Sequence, residues 1–120
     1  MVYTSMTLSL AALEYFVHLE PPGAPDDLVA VPAEIPDGVS RVWVDPSELP
    51  RKWRRYPAPE TLADLGTRWA RTGGTAVLIV PSAIIPAESN YLINPRHPDF
   101  SRIRVGQAER FSFDPRMWKP

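Results

Sequence analysis

The sequence predicts a single α/β (α+β) domain, in which helices flank a mixed β-sheet. An apolar run at 76–80, preceded by two glycines and stopped by Pro81, indicates a buried strand over 75–80 near the centre of that sheet. Two helical stretches, 7–19 and 57–72, alternate with short β-type segments. The 120 residues contain no repeat or linker, so residues 1–120 are expected to share one core.

The composition excludes several classes of function. A net charge of −1 argues against a dominant role at nucleic acids or membrane surfaces, and no apolar run reaches membrane-spanning length. The first residues lack the pattern of a secretory signal. The absence of cysteine rules out disulfides and thiolate chemistry, and the two histidines and scattered carboxylates show no metal-ligand spacing. We therefore expect a cytoplasmic protein without a metal.

Fifteen prolines, well above the usual share of about 5%, are spread along the chain and punctuate short elements. Pro32 predicts an edge position or a bulge for the strand at 28–35. Asp45 followed by proline predicts a single helical turn over 45–48. The remaining β-type segments are 2–4, 41–44, and the pair 102–105 and 110–113, which alternate with period two and predict a terminal hairpin.

The first helix, 7–19, is apolar almost all round, which predicts burial on most sides. Ser5 or Thr7 is its expected N-cap, and 21–22 (Pro-Pro) its expected stop. Glu14 and His18 share one face. A buried carboxylate costs about several kcal/mol unless it is paired or faces a cavity. Either the two residues form an ion pair on a narrow solvent-facing stripe, or Glu14 points into a cleft.

The basic, aromatic cluster at 51–56 (Arg-Lys-Trp-Arg-Arg-Tyr) also allows two interpretations. It would suit RNA binding through phosphate contacts and base stacking. The acidic balance elsewhere favours a solvated connection whose Trp53 packs into the core, with phosphates of a small nucleotide as an alternative partner. The second helix has Leu62, Leu65 and Trp69 at core spacing before a C-capping Gly73, so a structural role is expected.

Polar residues follow the central strand. Ser82 lies just beyond its end, and Asn90 and Asn94 bracket what the composition suggests is an amide-rich loop. Sites in α/β proteins commonly lie where a strand passes into such a loop. The alternative is local: Ser82 caps a turn, and the two asparagines bond their own backbone.

Several stretches occur in an order typical of one family. They are Val2-Tyr3-Thr4-Ser5, Leu10-Ala11-Ala12-Leu13-Glu14 with His18, Leu49-Pro50 with Trp53, Leu65-Gly66-Thr67-Arg68-Trp69, Val80-Pro81-Ser82-Ala83, Asn90-Tyr91-Leu92-Ile93-Asn94-Pro95 with His97-Pro98, and Phe113-Asp114-Pro115-Arg116. Together they resemble the RES domain, the toxin half of a class of bacterial toxin–antitoxin pairs.

The resemblance implies a fold similar to ADP-ribosyltransferases and a toxin that degrades NAD, some members by phosphorolysis, although one branch transfers ADP-ribose to a protein. NAD is then a substrate and not a resident cofactor, and inorganic phosphate is a candidate co-substrate. The implied partner is a helix-turn-helix antitoxin, through which DNA is contacted only indirectly. A homo-oligomer or a toxin–antitoxin hetero-oligomer is expected.

The family is named for an Arg, a Glu and a Ser, and the last two correspond here to Glu14 and Ser82. By resemblance, Glu14 stabilises the cation that develops on the ribose, Tyr3 stacks on nicotinamide, and Ser82 bonds a phosphate or ribose hydroxyl. Asn90 and Asn94 are weaker candidates for substrate binding, and like His97 are expected mainly to shape the loop.

The sequence departs from the family pattern before Val2. The segment that carries the signature Arg, and a second Arg used for the NAD phosphates, has no counterpart, so an N-terminally truncated member is expected. A module that only binds its antitoxin, and an RNA binder built on 51–56, are the alternatives from other functional classes.

Overall fold

The computed structural model describes residues 1–20 and 23–118. Its strands and helices, in chain order, are β1 (Val2–Ser5), α1 (Leu8–Phe16), β2 (Val29–Ala30), β3 (Ala33–Glu34), β4 (Arg41–Trp43), α2 (Glu60–Thr72), β5 (Val77–Pro81), β6 (Ser89–Ile93), β7 (Arg104–Val105) and β8 (Glu109–Arg110). Short 3-10 turns occupy Pro46–Glu48, Pro98–Arg102 and Pro115–Trp118.

The main sheet has four strands in the order β1-β6-β5-β4. Strand β6 runs antiparallel to both β1 and β5, whereas β4 and β5 are parallel. The prediction of a mixed sheet with the apolar strand in its interior is therefore confirmed. Strand β5 is positioned by the end of α2, where Gly73 adopts the left-handed conformation (φ 67°) and reverses the chain.

The two faces of the sheet have different neighbours. Side chains of a strand alternate between faces, so Val77, Ile79 and Ile93 all lie on one side. There they pack with Val39 and Ala76 in the buried core. The opposite face carries the side chains that line a cleft, described below. Residues of that face are also largely buried, so the cleft has an apolar floor.

Helix α1 is shorter and more exposed than predicted. Leu10 is its only buried residue among those described. The helix packs mainly against β1 and not against the central strand. Its outer side meets an aromatic group, with the Phe16 ring centroid 5.6 Å from Phe113 and 5.1 Å from Trp118. An apolar pattern predicts contact with apolar groups, but it does not distinguish the core from a peripheral cluster of this kind. Thr7 is the N-cap, as expected, while the predicted stop at 21–22 lies outside the described residues.

The predicted terminal hairpin is wrong. Strand β7 pairs with β3, and β8 pairs with β2, so both C-terminal segments add to the 28–35 region instead of to each other. That region is interrupted at Pro32, as expected, and the Pro32 carbonyl accepts a 2.8 Å hydrogen bond from the Gly106 amide. A period-two pattern identifies a strand but not its partner.

The predicted loop around 90–94 is also wrong, because Ser89–Ile93 forms strand β6. Asparagine is disfavoured in strands, but the buried Asn90 amide is satisfied here by side chains of β1 and α1. The predicted β4 and the turn capped by Asp45 are both present. None of the helices in the described ranges is long and apolar enough to cross a bilayer.

Candidate active site

A cleft of about 720 Å³ lies over the sheet face opposite the core. That volume falls within the usual range of small-molecule sites, about 300 to 1,000 Å³. Residues 78, 80 and 92 form its floor, α1 and α2 contribute walls, and the 49–58 segment forms a rim. The lining residues are Met1, Tyr3, Glu14, Val17, His18, Leu49, Trp53, Arg54, Arg55, Tyr56, Ala58, Leu62, Ala63, Leu65, Gly66, Thr67, Leu78, Val80, Pro81, Ala83, Ile84 and Leu92.

Among the residues that the structure describes, Glu14 is the one carboxylate that lines this cleft. Its Oε1 accepts two hydrogen bonds, from Ser82 Oγ at 2.8 Å and from Asn90 Nδ2 at 2.9 Å. Within residues 1–20 and 23–118, Oε2 has no hydrogen-bond partner. The carboxylate is thus fixed through one oxygen and leaves the other for a ligand. The alternative Glu14–His18 ion pair is wrong, since no such pair forms in the described structure.

Ser82 lies directly behind Glu14 and is fully buried. Its Oγ accepts hydrogen bonds of 3.1 Å from the amides of both Ile84 and Ile85. Because these two bonds use the acceptor capacity of the hydroxyl, its proton is directed at Glu14. Ser82 therefore caps a turn and orients the carboxylate. A direct bond to a phosphate or ribose would require the Ser82 hydroxyl to face the cleft, and Ser82 is not among the described residues that line it.

Asn90 connects three elements of the site. Its Oδ1 accepts a 2.7 Å hydrogen bond from Ser5 Oγ on β1, and its Nδ2 donates to Glu14. The same Nδ2 lies 3.5 Å from the Tyr3 hydroxyl. The pairing of Ser5 with Asn90 across β1 and β6 places these groups side by side. Asn90 is 1% exposed, so it supports the site from below the cleft surface.

Tyr3 lies at the edge of the cleft with 60% of its surface exposed. Its hydroxyl end is directed inward, toward Asn90 and Glu14. Burial of that end, followed by the negative charge of Glu14, raises the pKa of the Tyr3 phenol above its ordinary value of 10.0. Tyr3 therefore presents a neutral phenol and an exposed ring at neutral pH.

Asn94 lies outside the site. Its Nδ2 donates to the Ala70 carbonyl at 3.2 Å, and its Oδ1 accepts from the Arg96 amide at 3.1 Å. These bonds tie the end of β6 to α2, in line with the alternative that it shapes the local chain. His97 also makes a local contact: its Nδ1 accepts a hydrogen bond from the Asp99 amide.

The basic, aromatic cluster at 51–56 is predicted to be a solvated connection, but four of its residues, 53–56, line the cleft. Trp53 is half-buried at the cleft and does not belong to the core. Helix α2, expected to be purely structural, also lines the cleft through five residues, including Leu62 and Leu65. The basic, aromatic composition of 51–56 was the feature of the sequence that indicated a ligand-binding role for this segment. The net charge of the chain argued against such a role, but a net charge does not show where charged residues cluster.

Fold and site together define a small mixed α/β domain with an anchored carboxylate in a ligand-sized cleft. The RES domain family model matches residues 1–114, and the chain belongs to that family. It is 41% identical over 118 residues to the Prs ADP-ribosylating toxin of a Sphingobium strain, covering 97% of this chain and 73% of that protein.

Other relatives carry the name Toxin Res. The protein from Yersinia enterocolitica is 36% identical over 97% of this chain and 76% of its own length. The protein from Pseudomonas putida is 37% identical over 98% of this chain and 79% of its own length. The resemblance seen in the sequence is thereby confirmed at the level of the family.

Proposed function

We propose that this protein is a toxin enzyme that consumes NAD by breaking the bond between nicotinamide and ribose. The observation that supports this most directly is the anchored Glu14 carboxylate, which has one oxygen without a hydrogen bond from any described residue, in a cleft of suitable size. Membership of the RES family, and the names of the relatives, support a toxin role.

The proposed chemistry follows from the charge that the reaction creates. When the C1′–N bond breaks, its electron pair leaves with nicotinamide, which becomes neutral, and positive charge develops on the ribose. The Glu14 carboxylate stabilises that charge, an effect typically worth roughly 10² to 10³ in rate per group. Ser82 and Asn90 hold the carboxylate, and the Tyr3 ring provides a surface on which nicotinamide stacks.

An acceptor then adds to C1′ and releases a proton. With phosphate as acceptor the product is ADP-ribose phosphorylated at that same carbon, and with water it is ADP-ribose. A second candidate function is transfer of ADP-ribose to a protein side chain, favoured by the name of the Sphingobium relative. All three share the cleavage step assigned to Glu14. A helix-turn-helix antitoxin remains the proposed macromolecular partner.

The test compares two carboxylate-to-amide substitutions in the purified full chain. Glu14→Gln keeps the volume and hydrogen-bonding capacity of the side chain but removes the charge that favours the transition state, so the fold is retained and NAD cleavage is lost. Glu48→Gln, at an exposed position outside the cleft, is the matched control and retains activity.

NAD loss is followed with water only, with added phosphate, and with added cell protein, and products are identified by mass. The addition that makes NAD loss faster than with water alone identifies the acceptor. Undiminished cleavage by Glu14→Gln would remove Glu14 from the mechanism. A wild-type chain that leaves NAD intact in all three arms would favour the non-catalytic, antitoxin-binding alternative.

A further inference from the structure

The rim of the cleft carries two arginines whose charge is not neutralised by any residue that the structure describes. Arg54 and Arg55 both line the cleft, while Arg51 and Lys52 of the same segment do not. Across the described ranges, neither Arg54 nor Arg55 forms a salt bridge. Both arginines line the same cleft, so an anion bound there would be attracted by two positive charges.

Arg54 is already positioned by the protein. Its Nε donates a 2.9 Å hydrogen bond to the carbonyl of Ala83, in the turn whose Ser82 holds Glu14. The terminal nitrogens of Arg54 have no acceptor within the described structure, and neither does the Arg55 guanidinium. The bond to Ala83 therefore fixes the basic segment relative to the carboxylate, while leaving planar N–H donors for a ligand.

Tyr56 adds an aromatic surface at the same rim. It lines the cleft and is 89% exposed, so its ring is almost uncovered. Exposed aromatic rings beside arginines are typical surfaces for nucleobase stacking, because every base offers a π-face. The cleft thus presents one carboxylate at Glu14, two cations at Arg54 and Arg55, and an uncovered ring beyond them.

This distribution of charge matches a dinucleotide with a cationic nicotinamide ring and an anionic pyrophosphate. Bidentate arginine contacts are the usual means of binding phosphate oxygens. We propose that the 53–56 segment binds the ADP half of the substrate, with Arg54 and Arg55 on the pyrophosphate and Tyr56 stacked on the adenine. The choice of a dinucleotide rests on the proposed function, whereas binding of an ADP group is a property of this rim alone.

The test measures ADP binding to the full chain by calorimetry, with no cleavage step. Arg55→Gln weakens ADP binding about tenfold or more, the loss expected for a charge-assisted hydrogen bond. Arg51→Gln removes the same charge from the basic cluster at 51–56 but outside the cleft, and it leaves binding within about twofold. Arg55→Lys keeps the charge without the fork and is intermediate. Arg55 is exposed, so circular dichroism should show all three variants folded.

Binding of inorganic pyrophosphate, which has no base, distinguishes the arginine contacts with the pyrophosphate from the stacking of Tyr56 on the adenine. Tyr56→Leu weakens ADP binding about fivefold or more, but leaves pyrophosphate binding unchanged. Equal losses for Arg51→Gln and Arg55→Gln, or a wild-type chain that does not bind ADP at millimolar concentration, would overturn the proposal. Arg55-dependent ADP binding in a chain that leaves NAD intact would support this inference and count against the proposed function, so the two fail separately.

Discussion

The hydroxyl of Ser82 donates a 2.8 Å hydrogen bond to Oε1 of Glu14, although 68 positions separate the two residues in the chain. The bond joins the turn after β5 to the inner face of α1. With the amides of Ile84 and Ile85 bonded to the same hydroxyl, its direction is determined by the backbone of the turn. Orientation of the carboxylate thus depends on the geometry of a buried turn and not on solvent.

Removing the Ser82 hydroxyl should affect turnover more than substrate affinity. In Ser82→Ala, Glu14 loses one of its two anchors, and we expect kcat to fall about 10- to 100-fold with KM changed less than about threefold, because misplacement of a catalytic group acts mainly on the transition state. The amides of Ile84 and Ile85 lose their acceptor, so the free energy of unfolding should fall by about 1 to 3 kcal/mol. Steady-state NAD kinetics and urea unfolding measure both quantities.

A purely structural role for Ser82 would show a different result. In that case stability would fall, while kcat, measured well below the melting temperature, would stay at the wild-type level. Ser101→Ala, a serine exposed outside the cleft, serves as the matched control for both measurements.

Placing a second carboxylate beside Glu14 should make stability depend on pH. Asn90→Asp replaces the 2.9 Å donor with an acid, and two carboxylates at that distance do not both ionise readily. Protonation of the pair restores a donor, so the variant should be closest to wild type at the acid end of the range and lose stability as pH rises. Melting temperatures from pH 5 to 9 test this. A wild-type-minus-variant difference that is constant over this range would show that Asn90 and Glu14 are not coupled.

Asp99 should contribute to stability at neutral pH and lose that contribution in acid. Its Oδ2 accepts a 2.9 Å hydrogen bond from the Ser40 amide, and this bond, ahead of the charges of His97 and Arg102, lowers the pKa of Asp99 below its ordinary value of 3.8. A depressed pKa in the folded state means that the stabilisation is complete above pH 3.8 and disappears as pH falls through the lower value.

Asp99→Asn should therefore be less stable than wild type at pH 7 and show a smaller loss of stability between pH 5 and pH 2. Urea unfolding at these pH values measures the difference. Asp64→Asn, in an exposed position on α2, provides the comparison. If wild type and Asp99→Asn lost stability in parallel as the pH falls, the acid-sensitive stabilisation could not be assigned to Asp99.

Two neighbouring glycines offer a test of the turn that leads into β5. Gly73 has a φ of 67°, whereas Gly74 does not adopt a positive φ, and an added Cβ would meet no atom within 4 Å at either position. Gly73→Ala should lower the free energy of unfolding by about 1 kcal/mol through backbone strain alone. Gly74→Ala should have little effect or be slightly stabilising. Equal effects of the two substitutions would exclude the left-handed cap as the cause.

The sequence alone was sufficient for features that depend on neighbours within a few residues. The apolar run before Pro81 predicted the interior strand, Gly73 predicted the end of α2, and Asp45 predicted the capped turn. The ordered set of short motifs predicted the RES family, and through it the candidates Tyr3, Glu14 and Ser82. Each of these signals is local, either in backbone preference or in a pattern of adjacent residues.

Only the tertiary structure decided which distant groups meet. Asn90 was expected in a loop, since asparagine alone disfavours a strand, and its amide becomes favourable there only when Ser5 and Glu14 arrive from other elements. The position of Arg54 and Arg55 on the cleft likewise depends on contacts with the turn at Ala83. A hydrogen bond between remote side chains forms because the whole fold brings its donor and acceptor together. The residues adjacent to each partner in sequence do not determine how far apart the donor and acceptor lie.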